Sequence, residues 1–192
     1  MELDAGGCRI RSWRRGDVAS LTEHANNPRI ARNVRDMFPS PYRTEDAEHW
    51  LAVVSCMQPE SQFAVDVNGH AVGGIGISPG LDVHRIDGEL GYWLGEEFWN
   101  RGIMTSAIKA FVPYAFSTFN LERIHANVFE WNVASGRVLE KAGFVLEGRM
   151  RRAALKDGIV IDVLLYAMIR PDEDGVSGTQ RGLEHERGMR TG

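Results

Sequence analysis

The chain has 192 residues, 43% of them hydrophobic and 25% charged, with 22 Lys+Arg against 26 Asp+Glu for a formal charge of −4. A chain of this size and composition buries about 70% of its unfolded surface and needs no metal or disulfide staple to fold. The acidic balance disfavours a phosphate-tracking nucleic-acid binder, no apolar run approaches membrane-spanning length, and Met1–Arg15 lacks the apolar core of a secretory signal. Cys8 and Cys56 are far apart and stand in no metal-ligand spacing, so the sequence reads as a reduced, cytoplasmic protein without a metal site.

In chain order, Cys8–Arg14 alternates and suits an edge strand. Asp17 is placed to cap a helix running to about Asn26, and Pro28 to begin a second, short one. Phe38-Pro-Ser-Pro-Tyr42 is a stiffened loop, and Thr44 suits the N-cap of a helix to about Met57. Strands are expected at Gln62–Val67 and His70–Ser78, joined by the hairpin signal Asn68-Gly69, and at Ile86–Leu94. Gly91 inside the last of these suggests a bulge or the close approach of another backbone or a ligand.

Ile103, Met104, Ala107, Ile108, Phe111, Val112, Ala115, Phe116 and Phe119 recur every three or four residues and predict a long helix after Gly102, with Pro113 bending it. Arg123–Phe129 is a strand with Ile124, Ala126 and Val128 on one face, and Asn132–Lys141 is a short helix stopped by Gly143. Two strands close the pattern, near Phe144–Ala154 and Ile159–Ile169, the second central or covered because only Asp162 interrupts its apolar run. The result is a mixed α/β chain with a mainly antiparallel sheet over residues 1–170. Residues 171–192, rich in glycine and charge, read as a disordered tail.

The chemistry concentrates where a strand ends and a long helix begins. A helix start presents free N–H groups and the positive end of the dipole, and a glycine there lets a phosphate approach the backbone. Taken alone, the Gly102 junction reads first as a plain turn and cap, because many strand–helix junctions carry glycine. The glycines of Val72-Gly-Gly-Ile-Gly-Ile lie inside a strand with no helix after it, so they are no dinucleotide fingerprint.

Three motifs in order carry a family resemblance: Gly91-Tyr92-Trp93-Leu94, then Trp99…Gly102…Thr105, then Asn132…Ser135…Lys141…Gly143-Phe144. Together they resemble the GNAT acetyltransferases, and within them the RimJ/RimL branch that acetylates ribosomal-protein N-termini. The resemblance covers roughly Arg9 to Arg170. It implies a seven-stranded, mostly antiparallel sheet splayed into a V and flanked by helices, with acetyl-CoA as cosubstrate. The pantetheine arm would follow the strand ending at Trp93 and Leu94. The pyrophosphate would rest on the amides of Arg101, Gly102, Ile103, Met104, Thr105 and Ser106. Asn132, Ser135 and Lys141 would lie on the cofactor side.

Direct transfer to an amine needs a base, for which Glu89 is the candidate, and a hydroxyl at the departing thiolate, for which Ser135 is the candidate. A salt-bridge partner for a nearby arginine is the alternative reading of Glu89, and a backbone-bonded first-turn hydroxyl that of Ser135. Asn33, Arg35, Phe38 and Tyr42 fall where the family places a substrate-covering loop. His84 and Asp162 are weaker substrate-side candidates, the one with a solvated-loop alternative and the other with a structural hydrogen bond. The chain departs from family patterns at Leu139, where a tyrosine is common, at Met104, where the loop is usually small, and at Ser106, where a Glu is common. It departs again at Ala154, where some ribosomal-protein enzymes carry a carboxylate. The acceptor is a protein N-terminus or a small-molecule amine, with a non-catalytic acyl-CoA-binding module as the other class. Exposed strand edges allow a homodimer.

Overall fold

The computed structural model describes residues 1–172. The expected tail therefore lies almost wholly outside the described residues. Eight strands form one sheet: β1 (Glu2–Asp4), β2 (Arg9–Ser12), β3 (Gln62–Val67), β4 (His70–Pro79), β5 (Asp87–Leu94), β6 (Arg123–Phe129), β7 (Val145–Lys156) and β8 (Ile159–Ile169). Five α-helices accompany them: α1 (Val18–Ala25), α2 (Pro28–Ala31), α3 (Thr44–Ser55), α4 (Ile103–Thr118) and α5 (Val133–Ala142). The strand order is β1-β2-β3-β4-β5-β6-β8-β7, with every pair antiparallel except β5–β6.

The sheet thus has one strand more than the seven expected. The extra one, β1, pairs Glu2–Asp4 with Arg9–Arg11, so the Arg9 segment is an interior strand and not the edge. Three residues ahead of the Gly6-Gly7 turn are too few to show a period, which is why β1 was not legible. The Asn68-Gly69 hairpin forms, with φ of 54° and 89° at its two turn residues. Gly91 makes no bulge, since it faces Gly76 in unbroken β4–β5 register. β8 lies between β6 and β7, as its apolar run required.

Two helix starts differ from expectation. The Asp17 carboxylate does not cap α1. It accepts two bonds from the Arg11 guanidinium, at 2.7 and 2.8 Å, and one from the Arg14 N–H at 2.8 Å. At α3 the cap residue is Arg43, one before Thr44, because the Asp46 carboxylate reaches back to the Arg43 N–H at 2.8 Å. A carboxylate in the first turn satisfies an orphan donor and complements the dipole more strongly than a hydroxyl does.

The two faces of the sheet carry separate cores. On one, α4 and α5 cover Leu90, Leu94, Ile124, Ala126 and Val128, with Phe63 and Phe111 fully buried among them. α4 stays helical through Pro113 and is about 24 Å long. On the other face α1 and α3 make a smaller core from Leu21, Ala25, Tyr42, Ala47, Leu51 and Val54, with Phe38, Trp13, Trp50 and Trp93 against it. Arg11 is the largest polar side chain inside, 2% exposed, and it ties Asp17 to Asp66 through a 2.7 Å bond to the latter.

The parting of β5 from β6 opens the sheet. β5 and β6 pair in parallel only over Asp87–Glu89 and Arg123–His125. Beyond Glu89 the strands part. The edge of β5 from Leu90 to Leu94 has no β6 partner, so backbone groups on that side face an open, V-shaped gap.

Candidate active site

The gap leads directly to a helix start. After Leu94 a turn brings the Trp99 indole back, and its Nε1–H donates to the Leu94 carbonyl at 2.7 Å. The Arg101 guanidinium stands over the Phe98 ring, 5.4 Å from its centre. Gly102 then takes φ 76°, ψ −3°, a left-handed conformation that lets the chain enter α4 with its first amides turned outward. No side chain caps this helix. The N–H groups of Ile103, Met104 and Thr105 have no acceptor within the helix. Ser106 differs from the expectation for it, because its N–H is already spent on the Gly102 carbonyl at 3.0 Å. Its hydroxyl remains available. Ile103 and Met104 are 5% and 6% exposed, so their side chains are packed into the core. A methionine at 104 therefore does not obstruct the loop. These outward amides, the Arg101 charge beside them and the open space over the Cα of Gly102 fit a pyrophosphate.

The remaining candidates divide between the two faces of the sheet. On the α4/α5 face, Asn132 caps α5, its side-chain oxygen accepting the Ser135 N–H at 3.2 Å. The Ser135 hydroxyl is 2.7 Å from the Tyr92 hydroxyl, which reaches over from β5. Tyr92 was not singled out from sequence, where it reads as one more aromatic residue of a half-buried strand. Burial pushes its phenol up to about 12. Lys141, six residues and about 9 Å along α5 from Ser135, is exposed in the last turn, where it complements the C-terminal dipole. Leu139, where a tyrosine was expected from the family, is fully buried.

On the α1/α3 face, Glu89 sits at the point where the strands part. Its Oε1 accepts from the Asn127 amide at 3.1 Å and pairs with Arg35. Its Oε2 has no protein partner among the described residues. Glu89 is thus both the salt-bridge partner anticipated as an alternative and a carboxylate oriented at the gap. Gly91 follows two residues on, on the same face, with open space where a Cβ would stand. Trp93 comes next, its ring meeting Phe38 edge-on at 5.7 Å.

The segment from Arg32 to Arg43 crosses this face like a strap. Trp131 Nε1–H donates to Asn33 Oδ1 at 3.1 Å, Arg35 pairs with Glu89, and Asp36 meets the buried Lys156 of the β7–β8 hairpin at 2.6 Å. The strap therefore touches both arms of the V. Asn33, Arg35 and Phe38 stand on this strap. Tyr42 belongs instead to the smaller core: it is 5% exposed there, and burial raises its phenol to about 12.

Two candidates fall away from the gap. His84 is exposed in the turn before β5, at the closed end of the V. Asp162 is consumed structurally. It accepts from Arg149 Nε at 2.6 Å and from the Arg152 N–H at 2.7 Å, across the β7 irregularity between Met150 and Ala154. The Arg152 N–H, with the Arg149 guanidinium, holds its carboxyl below the usual carboxylate range. Asn127 and Trp131 are site residues that sequence reasoning passed over. On a strand and after it, they carried no motif.

Residues 8–145, well over half of the chain, match the acetyltransferase (GNAT) domain family. The chain is 37% identical over 102 residues to the Bacillus subtilis (strain 168) "Uncharacterized N-acetyltransferase YoaA", covering 53% of this chain and 57% of that one. It is 36% identical over 83 residues to the Escherichia coli (strain K12) "[Ribosomal protein uS5]-alanine N-acetyltransferase", covering 43% of each. The matches span about half the length of these curated relatives. In three dimensions, Mycobacterium smegmatis RimJ in complex with CoA-disulfide superposes with a TM-score of 0.77 at 23% identity, over 88% of this chain and 86% of that one.

Proposed function

Since the chain belongs to the GNAT acetyltransferase family, we propose that it transfers an acetyl group from acetyl-CoA directly to an amine, and that its acceptor is a protein N-terminal α-amine. The observation that carries this reading is the gap itself. An unpaired strand edge, Leu90–Leu94, is followed after the Gly95–Gly102 turn by the free amides of Ile103–Thr105. A linear thioester arm leading to a pyrophosphate matches that sequence of donors. The protein N-terminal acceptor is supported by the relative named for uS5-alanine acetylation.

Acetyl-CoA supplies an activated acetyl group when bound. The chain's own residues divide the remaining work by face. Glu89 Oε2, on the strap side, takes the proton of the attacking amine, directly or through a water, while Arg35 and Asn127 keep the carboxylate aimed at the gap. Strand N–H groups of β5 near Leu94 stabilise negative charge on the carbonyl. Ser135, on the opposite face, donates to the departing sulfur. Base and hydroxyl on opposite sides suit a displacement in which the amine enters from one side and the thiolate leaves by the other. The strap provides the surface against which an acceptor chain lies.

The test is thiol release from acetyl-CoA against N-terminal peptides and, in parallel, polyamines and aminoglycosides. Saturable release with peptides alone is expected, and Glu89→Gln should lower turnover by about 100-fold or more with little change in acetyl-CoA affinity. Release only with small amines would reject the peptide acceptor. Acetyl-CoA binding without release from any amine would point to a binding module instead.

A further inference from the structure

The hydroxyl pair across the V asks for a role that the reaction above does not give it. Tyr92 projects from β5, one arm of the gap, and Ser135 from the first turn of the helix that follows β6, the other arm. Their oxygens are 2.7 Å apart, and the Tyr92 hydroxyl also donates to the Ser135 carbonyl at 3.3 Å. We propose that Tyr92 is the positioning residue for Ser135, donating its phenolic proton to Ser135 Oγ so that the serine hydroxyl points its own proton at the leaving sulfur. This rests on the reading of Ser135 given above.

The direction of donation follows from chemistry. A hydroxyl carries one proton and two acceptor positions. The Tyr92 phenol, buried and raised to about 12, stays protonated over the whole working range, and its proton is directed at Ser135, shared between Oγ at 2.7 Å and the carbonyl at 3.3 Å. With Tyr92 donating, Ser135 cannot turn its proton back onto the phenol and must spend it elsewhere. The other titratable groups on this side are occupied with each other, Tyr166 donating to Glu140 Oε1 at 3.2 Å.

The same values show what the pair does not do. A thiol of pKa about 8.5 is a stronger acid than the raised phenol, so transfer of the Tyr92 proton to the thiolate would be uphill. The pair therefore stabilises the thiolate by hydrogen bonding. The N–C bond forms and the C–S bond breaks. The electron pair goes to sulfur, the amine proton goes to the Glu89 side, and the thiolate is reprotonated from solvent after release. A hydroxyl held by a strand tyrosine thus takes the place left empty by Leu139.

The experiment is a spectroscopic titration of the bound CoA thiol in the binary complex, which needs no acceptor. In the wild-type protein the thiol of bound CoA should ionise about one unit below its free value, a tenfold gain for the thiolate. Tyr92→Phe keeps the ring in the core and should lose most of that shift. Ser135→Ala should lose all of it, Ser135→Thr should keep it, and Tyr92→Phe/Ser135→Ala should match Ser135→Ala. The same non-additivity should appear in turnover with an accepted peptide, with the KM for acetyl-CoA unchanged. A wild-type shift that survives Tyr92→Phe but not Ser135→Ala overturns the role of Tyr92 and leaves that of Ser135 intact. Additive effects, or loss of CoA binding in Tyr92→Phe, also overturn it. No shift in any protein that binds CoA removes Ser135 from the mechanism altogether.

Discussion

Replacing Arg11 by methionine tests the balance of charges inside the sheet. The guanidinium is 2% exposed and makes three bonds of 2.7–2.8 Å to two carboxylates, Asp17 and Asp66, which are themselves 6% and 7% exposed. Methionine fills much of the same volume but removes the only cation bonded to either carboxylate among the described residues. Each keeps one backbone bond, Asp17 from the Arg14 N–H and Asp66 from the Gly69 N–H, both at 2.8 Å. Removing one member of a buried ion network costs about 3–5 kcal/mol, because the partners stay buried and uncompensated. For a domain of this size that is a fall in Tm of roughly 6–20 °C. The assay is urea unfolding at neutral pH with the slope held equal between variants. The triple variant Arg11→Met/Asp17→Asn/Asp66→Asn removes the stranded charges and keeps the backbone acceptors, so it should recover at least half of the loss. A cost below about 1 kcal/mol for Arg11→Met, or a triple variant no more stable than the single, would refute the argument.

Four other outcomes follow from the same structure. Gly102→Asp should abolish measurable CoA binding by calorimetry, since it puts a carboxylate at the free amides and a side chain at φ 76°; unchanged affinity would reject the loop as the anion site. Native protein should expose one thiol to a disulfide reagent at pH 8, the exposed Cys56, and a second only on unfolding, because Cys8 is 8% exposed and burial raises its thiol to about 11. That raised value also predicts a pH slope. Between about pH 9 and 11 the unfolded chain loses the Cys8 proton and the folded one keeps it, so stability falls as pH rises, by up to about 1.4 kcal/mol per unit, and Cys8→Ala should flatten that part of the profile. Asn132→Ala should cost about 1 kcal/mol through the lost cap of α5, read by thermal unfolding.

Much of the molecule could be read from local pattern. The Ile103–Phe116 periodicity, the Asn68-Gly69 turn and the uniformly apolar Ile159–Ile169 run each bury a face or set a turn by themselves, so each forced its element. The candidate phosphate site was legible for the same reason: Gly102 and the helix after it are neighbours in sequence, and free amides at a helix start are a property of the backbone.

What sequence alone could not supply was pairing over distance. Asp17 looks like a cap because caps are local, yet its carboxylate goes to Arg11, and at α3 Arg43 rather than Thr44 takes the cap position because the Asp46 carboxylate accepts the Arg43 N–H. Asp162 called for a structural hydrogen bond, but only the β7 irregularity decided that the Arg152 N–H would supply it. Tyr92 meets Ser135 across 43 residues, and Asn33 meets Trp131 across 98. Residue types and periods decide which segments are strands, which are helices and which faces are apolar. Only the splay of β5 from β6 decides which polar side chains share a space, because a hydrogen bond a few ångströms long depends on where two separate elements come to rest.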